Sequence, residues 1–170
     1  MKIILIGMPG SGKTTIATEF AQQSGYAFFD TDLIIEEQLK QQTGDVLLNH
    51  GELFFRQAEC HALKSIPDIS DSIVASGGGI IVHPDSFQYI KDNFDLILYL
   101  DTSLEVLVER LDSDNKIRPL LNKSSLDELM EKRLSMYEDL SHASIKTDRK
   151  MKSEIVNELL RLVRRDLADE

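Results

Sequence analysis

Near the N-terminus, Gly7-Met8-Pro9-Gly10-Ser11-Gly12-Lys13-Thr14 has the spacing Gly-x-x-x-x-Gly-Lys-Thr of a phosphate-binding loop. Glycines let the backbone turn through positive φ, so that successive N–H groups point inward, and a helix starting behind them adds the positive end of its dipole. In such a cradle Lys13 reaches the β- and γ-phosphates as a mobile point charge, and the Thr14 hydroxyl is placed to ligate Mg²⁺. Gly10, Ser11, Gly12, Lys13, Thr14 and Thr15 are therefore the candidates for holding a nucleotide. The plain alternative is a glycine-rich turn that matches by accident. Its flanks argue against that: Lys2-Ile3-Ile4-Leu5-Ile6 reads as a buried parallel strand and Thr15 to Ala21 as a helix, the context the motif requires.

Further groups could do chemistry beside this loop. Asp30 and Asp32 follow the short apolar run Tyr26-Ala27-Phe28-Phe29, which places two carboxylates at the C-terminal end of a strand, where open α/β sheets bind ligands. Capping of the next helix, expected over 33–41, is the structural alternative for Asp30. Glu52, Arg56 and Glu59 recur at i, i+4 and i+7 of a helix expected to run from Gly51 to Ile66. They form either a solvated ion-pair ladder or a brace that holds the Arg56 fork toward a substrate carboxylate. Gly77-Gly78-Gly79 signals close approach of the backbone to something, with a flexible turn as the alternative. Arg133 lies on a largely apolar helical stripe with Leu126, Met130 and Tyr137, and needs either a partner, such as a bound anion, or a snorkelling route to solvent. Asp101 ends an apolar strand, as a Walker B metal-binding acid does, whereas Thr102-Ser103-Leu104-Glu105 reads as a capping box that favours a helix start for Asp101.

The elements that position these groups alternate strand and helix through the whole chain. That pattern predicts a three-layer α/β/α fold with a parallel sheet and right-handed crossovers. The 170 residues suit one domain, with substrate-binding helices over about 31–66 and a lid over about 112–123 around Arg118-Pro119. Hydrophobic residues make up 42% and charged residues 28%, ordinary values for a globular chain, and no apolar run approaches the length of a membrane span. A chain that starts directly on its first strand, with the single cysteine Cys60, is expected in the cytoplasm. A net charge of −10 excludes a broad nucleic-acid-binding surface but permits a small anionic substrate held by a few arginines. His50, His61, His83 and His142 lack metal-ligand spacing.

In order and at familiar separations, Gly-x-x-x-x-Gly-Lys-Thr at 7–14, Asp-Thr-Asp at 30–32, Gly-Glu-x-x-Phe-Arg-x-x-Glu at 51–59, Gly-Gly-Gly at 77–79, Arg-Pro-Leu-Leu at 118–121 and Arg-x-x-x-Tyr at 133–137 closely resemble the shikimate kinases. The resemblance implies transfer of the ATP γ-phosphate to the 3-hydroxyl of shikimate, on a P-loop kinase fold with five parallel strands in the order 2-3-1-4-5. By that resemblance, Lys13 and Thr14 serve the phosphates and one Mg²⁺, and Asp30 holds the metal through water. Asp32 meets the shikimate hydroxyls and takes the proton. Arg56 and Arg133 clamp the carboxylate beside the Gly78 and Gly79 backbone. Arg118 closes over the phosphates, Arg110 lies against adenine, and the adenine loop falls around Asp148-Arg149-Lys150. The expected partners are ATP and shikimate, with no nucleic acid or membrane, and the chain is expected to act as a monomer. A residue two places after Arg133 that is often proline in the family is here Ser135.

Three other readings compete. One is another small-molecule or nucleotide kinase on this fold, acting on gluconate or a nucleoside monophosphate. The second is a GTP-dependent switch, which would need Asn-Lys-x-Asp; Asn122-Lys123-Ser124-Ser125 fails at the last position. The third is an ATP-binding fold without catalysis, which the intact acids and arginines disfavour.

Overall fold

In the computed structural model, which describes residues 1–113 and 125–166, strands β1 (Lys2–Ile6), β2 (Ala27–Asp30), β3 (Ser72–Ala75), β4 (Leu96–Asp101) and β5 (Ala143–Lys146) form one parallel sheet. Their order is β2-β3-β1-β4-β5, as expected, and every adjacent pair is parallel. Seven helices connect or flank the described strands: α1 (Lys13–Ser24), α2 (Thr31–Leu39), α3 (Thr43–Ser65), α4 (Pro84–Asn93), α5 (Leu104–Asp112), α6 (Leu126–Leu140) and α7 (Lys152–Asp166).

Strand alternation explains the two cores. Successive side chains of a strand point to opposite faces, so a sheet covered on both sides needs apolar residues at every position. Ile3 and Leu5 accordingly join Phe20, Leu98 and Leu159 under α1 and α7. Ile4 and Ile6 join Leu63, Val74, Tyr99 and Tyr137 on the other face. A small third cluster, Ile35, Val46, Phe55 and Ala62, packs α2 on α3 and so builds the wall that faces the phosphate loop.

Three local boundaries differ from those expected. β2 ends at Asp30 and α2 begins at once, so Asp32 stands in the first turn of a helix and not at a strand end. The cause is Asp30 itself: its Oδ1 accepts the backbone N–H groups of Asp32 at 2.9 Å and Leu33 at 3.3 Å, which satisfies orphan donors and starts the helix early. The helix expected to open at Gly51 is preceded without a gap by a helical stretch from Thr43, and the two meet in a kink at Gly51, whose φ of 84° and ψ of 171° only glycine adopts readily. α5 is capped by Ser103, whose Oγ accepts from Val106 N, whereas Thr102 is buried and hydrogen-bonded to Thr147. No helix among the described residues is long and apolar enough to cross a membrane.

Candidate active site

The C-terminal ends of β1, β2 and β3 are neighbours in the sheet, and the segments that leave them converge. From β1 comes the phosphate loop. Gly10 and Gly12 take φ of 85° and 93°, and Gly12 is the N-cap of α1, so the loop curls around the start of that helix. The buried Lys13 ammonium is folded into this curl, donating to the carbonyls of Gly7 at 2.7 Å and Met8 at 2.9 Å and to Ser11 Oγ at 3.2 Å. Those contacts are neutral oxygens, which a phosphate's charged oxygens can replace with a gain in electrostatic energy.

Thr14 Oγ1 donates to Asp30 Oδ2 at 2.7 Å. Asp30 therefore does two things, capping α2 with one oxygen and meeting the Thr14 hydroxyl with the other. A hydroxyl and a carboxylate side by side are hard oxygen donors, a set that fits Mg²⁺ when phosphate oxygens and water complete an octahedron. Among the described residues no group of three or more His, Cys, Asp or Glu could hold a metal.

A cleft of about 990 Å³ opens over the loop. Gly10 to Thr15 line one end; Asp32, Arg56, Glu59, Gly77, Gly78, Gly79 and Arg133 line the other. On the acceptor side Arg56 is 5% exposed; its Nη1 donates to Glu59 Oε2 at 2.6 Å and its Nη2 to Glu52 Oε1 at 3.4 Å. Glu52 is half exposed and Glu59 is buried, so the Glu59 bond is the one that fixes the fork. Arg56 Nε is buried and has no hydrogen-bond partner among the described residues.

The triple glycine explains why no side chain is tolerated there. A Cβ on Gly77 would stand 2.6 Å from Glu59 Oε1 and 2.8 Å from Asp32 Oδ1, and one on Gly78 would stand 2.7 Å from Pro9 Cδ. One on Gly79 would overlap the Arg56 guanidinium. Gly77 N donates to the buried Thr31 hydroxyl at 2.9 Å, which ties this segment to α2. Two carboxylates, one arginine and the phosphate-loop proline thus touch one stretch of bare backbone. The run of three glycines was the only sequence signal for this, and it did not reveal that Asp32 and Glu59 meet over Gly77.

Burial pushes the Glu59 carboxyl up to about 7; Arg56 and Arg133 pull it down and Asp32 pushes it further up. The unfolded value is near 4.5, so the native state holds a proton between about pH 4.5 and 7 that the unfolded state has lost. The resulting stability is present below pH 4.5 and disappears as pH rises through 7. Glu59→Gln has no such titration. Its melting temperature relative to the parent should therefore climb between pH 5 and 7 and level off above, as thermal unfolding across that range would show. A constant difference would mean that Glu59 titrates normally.

Of the two arginines expected at the nucleotide end, one lines the cleft. Arg110 lines the cleft and donates to Gly10 O at 3.2 Å, at the phosphate loop. Arg149 does not line the cleft; its neighbours Lys150 and Lys152 do, each also paired with a glutamate, Glu158 and Glu19. Arg149 stands in a turn with φ of 55°, in the left-handed region. Asp101 is likewise absent from the cleft lining. Arg118 and the expected lid over about 112–123, apart from Asp112 and Ser113, lie outside the described residues.

Comparison with known proteins agrees with this geometry. The family model described as shikimate kinase matches residues 9–164. The shikimate kinase of Rippkaea orientalis is 35% identical over 167 residues, covering 96% of this chain and 88% of the relative. That of Persephonella marina is 34% identical over 164 residues, covering 95% and 98%. A solved structure of shikimate kinase from Acinetobacter baumannii in complex with shikimate superposes with a TM-score of 0.89 at 27% identity, covering 97% of this chain and 93% of that one. With a phosphate loop, two buried arginines and a bare glycine segment meeting in one cleft, and with this match running through nearly its whole length, the chain belongs to the shikimate kinase family.

Proposed function

We propose that the shikimate kinase activity, transfer of the γ-phosphoryl group of ATP to the 3-hydroxyl of shikimate, is divided between the two ends of this one cleft, within a single kinase domain spanning 1–170. The observation that carries the division is that Lys13 and Thr14 line the same cavity as Asp32, Arg56 and Arg133. At the nucleotide end the loop amides from Gly10 to Thr15 hold the phosphates, and Lys13 exchanges its carbonyl partners for phosphate oxygens. Thr14 and Asp30 would hold one Mg²⁺ per chain, which would supply positive charge to the nucleotide phosphates. Arg110 steadies the loop from the side of α5, through its hydrogen bond to Gly10 O.

At the acceptor end Arg56 and Arg133 receive the substrate carboxylate as two forks, with the Gly78 and Gly79 backbone beside the ring. Binding the carboxylate there aligns a ring hydroxyl with the phosphate loop and so converts an encounter of two solutes into a positioned displacement. Asp32, in the first turn of α2, accepts the hydroxyl proton as the new O–P bond forms and the bond to the β-phosphate oxygen breaks, leaving ADP and the phosphorylated substrate. A weak base suffices, because bond formation lags in a loose transition state and the proton leaves late. Arg118 supplies further positive charge to the transferring group from the segment over 112–123, and one chain provides every group needed.

Purified protein with ATP, Mg²⁺ and a panel of shikimate, gluconate and a nucleoside monophosphate tests this by ADP release. Rapid release is expected with shikimate alone. Equal turnover of gluconate or the nucleotide would overturn the reading, because neither presents a ring carboxylate to the two arginines.

A further inference from the structure

We propose that Tyr137 is a positioning residue for the acceptor: through the Gly78 carbonyl its hydroxyl fixes the Gly78–Gly79 peptide and the Arg133 fork against which the substrate carboxylate binds. The inference rests on the division of roles given above, since it takes Gly79 and Arg133 to meet the acceptor.

Tyr137 lies one turn beyond Arg133 on α6, on the same face, and is 1% exposed. Its hydroxyl donates a short hydrogen bond to Gly78 O, and Arg133 Nη1 donates to the same oxygen at 3.3 Å. A carbonyl has two lone pairs, and these two donors take both. The phenol ring is itself fixed. It stacks on Tyr99 of β4 with centroids 5.1 Å apart and planes 10° apart, and its hydroxyl lies 3.9 Å from Met8 Sδ beside the phosphate loop. The sheet thus dictates where the hydroxyl stands, and the hydroxyl dictates where the Gly78 carbonyl points.

Peptide planarity carries that constraint onward. In a trans peptide the N–H of Gly79 is antiparallel to the Gly78 carbonyl, so holding the carbonyl toward α6 turns the Gly79 N–H away from it. Two adjacent glycines have no side chains to bias their peptide, and its rotation is opposed by little else than its hydrogen bonds. Pro9 packs on the far side of Gly78 and Arg56 on Gly79, so a rotated peptide would also meet the clamp differently. Burial pushes the Tyr137 phenol up to about 12, which keeps it a proton donor at every pH where the protein works.

Tyr137→Phe deletes only the hydroxyl and retains the stacked ring. Loss of one hydrogen bond of ordinary strength should weaken shikimate binding about three- to tenfold, in KM and in the calorimetric dissociation constant, with kcat less affected and the KM for ATP within twofold of the parent. Combined with Arg133→Lys the loss should be smaller than the product of the two, because both donors act on one carbonyl. Unchanged shikimate binding, an equal rise in both KM values alongside a lower melting temperature, or multiplicative losses in the double variant would overturn the proposal. The parent enzyme separates the two levels. If it turns over shikimate while Tyr137→Phe is silent, only the positioning role falls; if it does not, the division of roles falls and the inference with it.

Discussion

Asp32→Asn should lower turnover of shikimate by about 10²–10⁴-fold, the usual effect of removing a positioned general base, and leave nucleotide affinity nearly unchanged. Asparagine keeps the shape of the side chain and its place in the first turn of α2 but cannot take the hydroxyl proton. Asp30→Asn should behave differently. One amide oxygen still caps α2 at Asp32 N and Leu33 N, while the group facing Thr14 becomes neutral, so the expected change is a higher Mg²⁺ requirement. Steady-state rates across a Mg²⁺ titration distinguish the two. Asp32→Asn retaining more than a tenth of parental turnover would exclude it as the base, and identical Mg²⁺ curves for both variants would remove the distinction between the acids.

Gly79→Ala should raise the KM for shikimate about ten- to a hundredfold, comparable to losing a hydrogen bond to a charged group, with ATP unaffected. Gly79 has φ of −103° and ψ of 2°, a backbone conformation alanine also adopts, so the loss has to come from contact rather than strain. The new methyl would overlap the guanidinium of Arg56. An exposed arginine would simply swing aside. This one is buried and bonded to Glu59 at 2.6 Å, so displacing it breaks that pair and leaves a carboxylate in a site that already penalises its charge. A shikimate KM within twofold of the parent would show that the clamp tolerates movement and that Gly79 is not required for contact.

The phosphate loop, the order of elements and the five-stranded parallel sheet were determined by the sequence, because each is local or periodic. A glycine spacing encodes a turn, a continuous apolar run encodes a strand covered on both faces, and alternation of strand and helix leaves few topologies. The residue types of the acceptor end were legible too: Arg56 with its acids at helical spacing, Arg133 on an apolar stripe, and the triple glycine. Their mutual placement was not. Whether Asp30 caps a helix or serves a metal was an open choice in the chain; in the fold one of its oxygens caps α2 and the other meets the Thr14 hydroxyl, because the two face different elements. That Asp32 and Glu59 share the space over Gly77, and that Tyr137 reaches the Gly78 carbonyl, are contacts between segments 45 and 59 residues apart or brought together from different helices. No local pattern records such contacts. They exist because β1, β2 and β3 end side by side and α3 and α6 pack over those ends, so only the assembled sheet brings a carboxylate, a phenol and a glycine backbone within hydrogen-bond reach.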